Sequence, residues 1–399
     1  MSDPSGLTRP TRRRRVLFID DQPNVAKTLS SLLRKDEFEV RFAEDGEKGL
    51  ERLRTEVFDL AIVDLRMPPE RWGGLWLLRE LQKLTLKCDA LVLSGEASQK
   101  ETIDALRLGA LDFVVKDNAA TELADRVSKA LADAESSREA YAEREIVSPI
   151  ALSYARTKSS KEAEGQLRAG LACVESVLRF CALAGIAIAR DANRLDDGML
   201  DRLALPSTGT WLELCQAVTP QVGGAPFSRW LRAVTRRESW TLVEYRNDVI
   251  HGAGVPSVGI EAASVQITSW LDYFFLTAAS GILVELLVAG TMTFSRGSFH
   301  VEWERLAGTG PTSNRITTEL PTAPEKGQVY LRVGGNYVNA WPYLLAEFGG
   351  QSNGWHLSIL DGFKRERRNM TTPEDKLRFV NLTTGTRSIS PDLTVADLS

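Results

Sequence analysis

The stretch VLFIDDQPN, residues 16–24, places four apolar residues directly before two adjacent aspartates, Asp20 and Asp21. A short apolar run of this kind is typical of a buried β-strand, so the two carboxylates come where that strand ends. Neighbouring like charges repel each other and are costly to remove from water. The pair therefore indicates either a strand end in solvent or a cation bound between the carboxylates.

Four more apolar runs follow before residue 133, and each of the five runs precedes a segment with helical periodicity. The four later strands are predicted at FEVRFA (38–43), FDLAIVD (58–64), DALVLS (89–94) and LDFVV (111–115). Apolar strands that alternate with helices predict a parallel sheet covered by helices on both faces. Ligands of such sheets bind beyond the carboxyl ends of the strands, so functional groups are expected at that edge.

Polar side chains stand at four of these strand ends. They are Asp20 and Asp21, Asp64, Ser94 and Lys116. Three carboxylates at one edge favour a hard cation, and Mg²⁺ prefers such oxygen ligands. This set of groups suits the transfer of a phosphoryl group to a carboxylate, with Asp64 as the nucleophile. Mg²⁺ and Lys116 would neutralise charge on the transferred oxygens, and Ser94 would hydrogen-bond the new phosphoryl group.

Four sequence blocks resemble the signature of response-regulator receiver domains. They are FIDD, AIVDLRMP, LVLSGEA and GALDFVVKD. The separations, 30 residues from Asp64 to Ser94 and 22 from Ser94 to Lys116, also match that family. The resemblance covers about 120 residues and implies a flavodoxin-like α/β fold with a five-stranded parallel sheet of order 2-1-3-4-5.

The resemblance also implies roles for individual residues. A histidine kinase would phosphorylate Asp64, and the receiver would catalyse its own phosphoryl transfer and dephosphorylation. Ser94 and Phe113 would form the switch pair. The implied Mg²⁺ ligands are Asp20, Asp21, Asp64 and the backbone carbonyl of Arg66.

Two features depart from the family pattern. Asp117 follows Lys116, where the family usually has a proline in a cis peptide, and a cis bond before another residue costs about 2.5–4 kcal/mol. We therefore expect a different loop after Lys116. The segment MPPERWGGL (67–75) is longer than the usual turn, which changes the rim beside Asp64.

Changes in composition and hydrophobic periodicity divide the whole chain into six predicted segments. They are a disordered basic tail (1–14), the receiver (15–133), a helical extension and linker around Pro149 (134–160), an all-α domain (161–291), a small antiparallel β-rich domain of unknown role (292–386) and a disordered tail (387–399). The apolar segment 262–289 is predicted to be helical. Within the most apolar stretch, 270–290, Asp272 and Glu285 leave an uncharged run too short to span a bilayer, so a buried helix is predicted there.

The segment EYRNDVIHG, residues 244–252, resembles the Arg–x4–His motif of the HEPN superfamily, whose helical domains are often ribonucleases. The resemblance implies that His251 acts as acid or base on a ribose 2′-hydroxyl, that Arg246 steadies the phosphate beside Asn247, and that no metal is needed. On one helix Arg246 and His251 diverge by about 140°, so a joint site needs a second copy. A non-catalytic dimerisation or ligand-binding module and simple helix capping by His251 and Gly252 are the alternatives.

The predicted function is therefore that of a two-component response regulator with a HEPN-like output domain. Three interpretations of the output stay open: a phosphorylation-gated ribonuclease acting on RNA, a phosphorylation-switched interaction module, and a sensor of a small phosphate ligand. A homodimer is expected because the helical region is rich in aromatic residues, which are enriched at interfaces. The aromatic residues in question are Trp211, Trp230, Trp240, Trp270, Phe274 and Phe275.

Composition sets outer limits on function. The net charge of −4 gives no chain-wide basic field for nucleic acid or membrane, and no DNA-binding helix-turn-helix is evident after residue 133. The basic run 12–15 is interpreted as part of a solvated tail. Four separated cysteines and an N-terminus without an apolar signal region predict a reduced, cytoplasmic protein without a membrane anchor.

Overall fold

The computed structural model of the protein describes residues 12–84, 86–95, 99–223, 227–251, 254–281, 284–309, 314–349, 354–365 and 371–398. The chain divides into two compact units. The first contains Met1–Ala140 and Phe275–Ile282, and the second contains Tyr141–Phe274 and Leu283–Ser399. Most of the predicted N-terminal tail, residues 1–11, lies outside the described residues.

The first unit is a five-stranded parallel sheet of order β2-β1-β3-β4-β5 with helices between successive strands. This confirms the predicted flavodoxin-like receiver fold. Its elements are β1 Arg14–Ile19, α1 Pro23–Ser30, β2 Phe38–Ala43, α2 Gly46–Thr55, β3 Leu60–Asp64, α3 Gly73–Lys83, β4 Ala90–Ser94, α4 Gln99–Arg107, β5 Ala110–Val115 and α5 Ala119–Arg144. Strands β3 and β4 are buried along their whole length, because helices cover both faces of the sheet.

The second unit begins with helices. They are α6 Ser148–Ser159, α7 Ala163–Asp191, α8 Thr208–Val222, α9 Ser228–Val234, α10 Glu238–His251 and α11 Ile260–Ala279, of which the residues from Phe275 onward are assigned to the first unit. Helix α7 is long and apolar enough to span a membrane, with a mean hydropathy of 1.9 in its most apolar window, but 83% of that window is buried inside the protein. A core helix of a globular protein has the same properties.

Two antiparallel sheets complete the second unit, as the alternating texture after residue 292 predicts. Their orders are β10-β9-β6-β7-β8 and β11-β12-β13-β14. The strands are β6 Val284–Ser295, β7 Ser298–Arg305, β8 Asn314–Leu320, β9 Val329–Val333, β10 Asn336–Asn339, β11 Leu344–Gly349, β12 Gly354–Lys364, β13 Lys376–Asn381 and β14 Arg387–Thr394. The segments predicted as separate all-α and β-rich domains both fall in this unit, where Arg179 of α7 pairs with Asp361 of β12 at 3.1 Å.

The structure differs from the predicted helix over 262–289. Helix α11 ends at Ala279, and β6 begins at Val284. The two are separated at Gly281, whose φ of 110° suits only glycine well. The apolar residues after it pair with β9 from Val284 to Val288, so periodicity alone could not distinguish a buried strand from a buried helix.

Both predicted tails and the predicted linker contain more structure than expected. Residues 387–394 form β14, which pairs with β13, and Tyr343 donates a hydrogen bond to the carbonyl of Leu398 at 2.7 Å. The linker prediction around Pro149 is wrong, because this proline stands in the first turn of α6, where its missing N–H costs nothing. Arg12 is not a solvated tail residue, since its guanidinium binds the buried Asp59 through two contacts of 2.7 Å.

The aromatic residues counted as interface area are mostly core residues. Trp211, Trp230, Trp270, Phe274 and Phe275 are all buried, and Trp230 packs edge-on against Phe274 with ring centroids 5.3 Å apart. Only Trp240 of that group is exposed, at 37%. Phe275 belongs to the first unit and the other four buried residues to the second. The aromatic count therefore mostly reflects the second unit's own core, and that part of the argument for a dimer is wrong.

Candidate functional site

Three acidic side chains meet at the carboxyl edge of the receiver sheet, where the sequence places them. Asp20 follows β1 directly, Asp21 is next to it, and Asp64 is the last residue of β3. One carboxylate oxygen from each lies within 4.8 Å of the others. Asp20 and Asp64 are buried, whereas Asp21 is exposed. The parallel sheet brings these residues together because β1 and β3 are hydrogen-bonded neighbours that end at the same edge.

Lys116 supplies the positive charge at this edge. Its Nζ lies 2.8 Å from Oδ2 of Asp20 and 3.1 Å from Oδ2 of Asp64, so one ammonium group bridges two carboxylates. Burial acts to lower the pKa of Lys116, but the hydrogen bond to Asp20 and the charge of Asp64 outweigh it, and the pKa lies above its ordinary value. Lys116 therefore stays charged at neutral pH.

The negative charge of the buried Asp64 is only partly compensated. Burial, the largest cause, raises the pKa of Asp64 to about 6; Lys116 and the backbone N–H of Arg66 lower it, and the charge of Asp20 adds to the rise. Its Oδ1 is buried and has no hydrogen-bond partner among the described residues. A buried carboxylate oxygen without a partner is costly, so the site has capacity for a cation or an incoming group.

The residues present fit a hard divalent cation. Three carboxylates of the type that binds Mg²⁺ lie within reach of one ion. A cation would also relieve the repulsion between Asp20 and Asp64. The predicted role of the Arg66 carbonyl stays a prediction.

Ser94 and Phe113 lie on neighbouring strands next to this cluster. Ser94 is the buried last residue of β4, and Phe113 is a half-buried residue of β5 that packs against the core on one face of the sheet. Phe113 stands opposite Val92 in the β4–β5 register, two residues before Ser94 on β4. Ser94 and Phe113 therefore lie on directly paired strands.

The two sequence departures have structural counterparts. Lys116–Asn118 forms a short 3-10 turn that leads into α5. The longer loop after Asp64 folds back on itself, with the N–H of Gly74 donating to the carbonyl of Leu65. A Cβ on Gly74 would lie 2.3 Å from the carbonyl oxygen of Asp64, so only glycine allows this close approach.

The structure does not bring the two HEPN-type residues together. Within the described residues, no hydrogen bond or ion pair joins Arg246 to His251; His251 is exposed at the end of α10. The Nε of Arg246 lies 3.2 Å from the carboxylate of Glu175 on α7. Glu175 also binds Arg179 and accepts a hydrogen bond from Thr208, so Arg246 joins a network linking α7, α8 and α10.

The partner of Arg246 is not a near neighbour in the chain. The partner is Glu175, which is 71 residues away in the chain. No local spacing could have revealed it, because the pair depends on how α7 packs beside α10.

Comparisons with known proteins agree on the first unit. A family model described as the response regulator receiver domain matches residues 16–128. Chemotaxis protein CheY of Bacillus subtilis (strain 168) is 30% identical over 118 residues, which cover 29% of this chain and 97% of that protein. Transcriptional regulatory protein ZraR of Escherichia coli (strain K12) is 32% identical over 117 residues, which cover 29% of this chain.

The chain spans 26% of the length of ZraR and 50% of that of transcriptional regulatory protein DltR from Streptococcus agalactiae. Among solved structures, the receiver domain of the Francisella response regulator 1452 is 26% identical, covers 30% of this chain and 98% of its own, and has a TM-score of 0.28. Each of these matches covers at most 30% of this chain, so none describes the second unit.

Replacing Arg246 with glutamine should lower the free energy of unfolding by about 1–2 kcal/mol, because a charge-assisted hydrogen bond to Glu175 is lost. Arg168→Gln is the matched control, since Arg168 is also a helical arginine paired with a glutamate but its side chain is 51% exposed. Urea unfolding of both variants provides the measurement. Equal stability of the two variants would contradict a structural role for Arg246.

The burial of Asp64 predicts a pH-dependent stability. Because its pKa of about 6 lies above the ordinary 3.8, the unfolded carboxyl loses its proton first, and stability falls as pH rises between those values. Asp64→Asn should therefore be more stable than the wild type by about 1–2 kcal/mol at neutral pH without divalent cations, and equal to it below about pH 4. Asp36→Asn, at an exposed carboxyl whose pKa lies below its ordinary value, should give no such gain. Urea unfolding in EDTA across this pH range tests both.

Proposed function

The chain belongs to the response-regulator receiver family, and we propose that it is a signalling protein in which a histidine kinase transfers a phosphoryl group to Asp64. The observation that carries this proposal is the state of Asp64: it is buried at a strand end, and its Oδ1 is without a hydrogen-bond partner among the described residues. Lys116 lies 3.1 Å from the other oxygen. Asp64 is thus held in place by one oxygen while the other is available to attack.

The step exchanges one phosphorus bond for another. Oδ1 of Asp64 attacks the phosphorus, the P–N bond to the kinase histidine breaks, its electron pair stays on that nitrogen, and an acyl phosphate forms. Lys116 stabilises the added negative charge from the position it already holds between Asp20 and Asp64. Mg²⁺ held by Asp20, Asp21, Asp64 and the Arg66 carbonyl would neutralise charge on the phosphoryl oxygens.

Ser94 and Phe113 are proposed as the groups that respond to phosphorylation. A phosphoryl group adds about −1.5 to −2 charges and three strong acceptor oxygens beside the hydroxyl of Ser94. When Ser94 moves to donate to one of these oxygens, space opens for the half-buried Phe113 ring to turn inward. The result is a shift of population between two arrangements of the β4–α4–β5 surface.

Acetyl phosphate labelling tests the assignment of Asp64. The wild type should incorporate acid-stable, base-labile phosphate with Mg²⁺ and not with EDTA. Asp64→Asn should show only background, because an amide oxygen is a far weaker nucleophile than a carboxylate oxygen. Asp36→Asn, which removes an exposed carboxylate elsewhere on the receiver, is the control and should label normally. Undiminished labelling of Asp64→Asn would reject the assignment.

For the output, we propose that the second unit is a non-catalytic module in which α10 pairs with α10 of a second copy. The ion pair with Glu175 occupies Arg246, which weakens the ribonuclease interpretation. Trp240, Glu244, Asn247 and His251 are all exposed and spaced to share one helix face. A twofold axis would place this face against itself, as symmetric dimers require.

Light scattering on the full chain tests this proposal. The wild type should show a dimer mass, at least with beryllofluoride and Mg²⁺ present, and Trp240→Glu should be a monomer because it buries a charge at the centre of the interface. Phe294→Glu is the control, since Phe294 is an exposed aromatic residue of β6 outside this face. A monomeric wild type in both states would refute the dimer. Metal-independent RNA cleavage that His251→Ala abolishes would favour the ribonuclease instead.

A further inference from the structure

Asp59 is a fully buried carboxylate at the opposite end of β3 from Asp64. It directly precedes the strand, and its relative exposure is 0%. Arg12 binds both of its oxygens at 2.7 Å, and the backbone N–H of Arg15 donates to Oδ2 at 2.8 Å. Five residues of extended chain put Asp59 about 16 Å from Asp64, at the amino edge of the sheet.

Helix α5 contributes two charged groups to the same place. Arg138, only 5% exposed, brings its guanidinium to 3.6 Å from Oδ1 of Asp59. One turn earlier, Glu135 binds Arg14 of β1 at 3.0 Å, and Arg14 itself lies 3.6 Å from Asp59. We name this group of five charged residues the basal cluster: Arg12, Arg14, Asp59, Glu135 and Arg138.

The positive charges around Asp59 offset the cost of burying its carboxylate. Burial alone would raise the pKa of Asp59, but the charges of Arg12 and Arg138 and the hydrogen bonds from Arg12 and Arg15 bring it below its ordinary value. Asp59 is therefore ionised and dependent on its partners. Removing one partner of a buried ion pair leaves a charge uncompensated, which costs far more than an exposed pair contributes.

The position of the cluster on α5 suggests more than stability. Helix α5 runs without interruption from Ala119 to Arg144. The cluster contains Glu135 and Arg138, which lie near the point, Ala140, where the helix leaves the first unit. The helix then continues into the residues that belong to the second unit. One strand, β3, thus carries the proposed phosphoacceptor at one end and an anchor of α5 at the other.

We infer that the basal cluster is a joint that fixes α5 to the receiver, and that phosphorylation of Asp64 changes the second unit only while this joint is closed. The inference rests on the proposed phosphorylation of Asp64. It assigns to the basic run 12–15 a function in signalling. Arg138 acts as a positioning residue, because it touches neither Asp64 nor an incoming phosphoryl group.

Hydrogen exchange on the full chain, followed by mass spectrometry, tests the joint. The variants are Arg138→Gln, which leaves the Arg12–Asp59 pair intact, and Asp59→Asn, which removes the central charge. Arg126→Gln is the matched control, because Arg126 is also an α5 arginine paired with an aspartate, Asp112 at 2.8 Å, but is 41% exposed. Should Asp59→Asn fail to fold, Arg138→Gln still provides the test.

Two readouts are expected to change together. In the absence of phosphoryl analogue, amides of residues 135–144 should exchange about tenfold faster in Arg138→Gln than in wild type, and at wild-type rates in Arg126→Gln. On addition of beryllofluoride and Mg²⁺, all three proteins should gain protection around Asp64 and Ser94. Protection changes after residue 144 should appear in wild type and Arg126→Gln and be absent in Arg138→Gln.

Opposite results overturn the inference. Unchanged exchange of α5 in Arg138→Gln would show that the cluster does not hold the helix. Two outcomes would show that the joint does not carry the signal. In one, Arg138→Gln shows the same protection changes after residue 144 as the wild type. In the other, the wild type shows no change after residue 144 although it gains protection at Asp64. Failure of the proposed function is distinguishable, because it would remove the beryllofluoride effect at Asp64 itself while leaving the first readout intact.

Discussion

One ammonium group shared by two buried carboxylates is the constraint on which the receiver site depends. Lys116 lies within 3.1 Å of both Asp20 and Asp64, yet a single positive charge cannot compensate two negative charges in a buried setting. The deficit falls on Asp64, whose pKa is raised to about 6. A site with uncompensated negative charge gains most from an added cation or from a group that reacts with the partnerless oxygen of Asp64, so the same imbalance that costs stability favours reaction.

Ion pairs elsewhere in the chain show the opposite balance. Asp59 has guanidinium groups from Arg12, Arg14 and Arg138 within 3.6 Å. In the second unit Asp361 is bound in the same way, by Arg179, Arg378 and Arg387. The arginines around Asp59 keep that buried acid ionised. In both clusters the arginines hold several elements together, while an excess of acid around one lysine leaves a site ready for a ligand. The ratio of charges thus separates structural clusters from the candidate active site.

The receiver could be predicted from sequence because its signals are local. Buried parallel strands must be apolar, so β1, β3 and β4 are visible as short apolar runs, and the sheet topology then forces Asp20, Asp64 and Lys116 to one edge. What could not be predicted depends on packing between distant segments. The contact of Arg246 with Glu175 spans 71 residues, and the change from α11 to β6 near Gly281 lies inside one continuous apolar stretch. The basic run 12–15 looked like a tail because its partner, Asp59, is identified only by burial.

The aromatic residues also show that composition does not predict where a residue lies in the fold. A count of tryptophans and phenylalanines measures the apolar area that a chain must bury, but it does not say where. In the second unit that area lies in the core: Trp230 contacts Phe180, Phe227 and Phe274, and the indole N–H of Trp270 donates to the buried Ser239. Trp240 differs because it lies on the opposite side of α10 from the buried Leu242 and Tyr245, on the face that also carries His251. The case for an interface on this helix therefore depends on one exposed tryptophan and its helical spacing to its exposed neighbours, and it is independent of how many aromatic residues the unit contains.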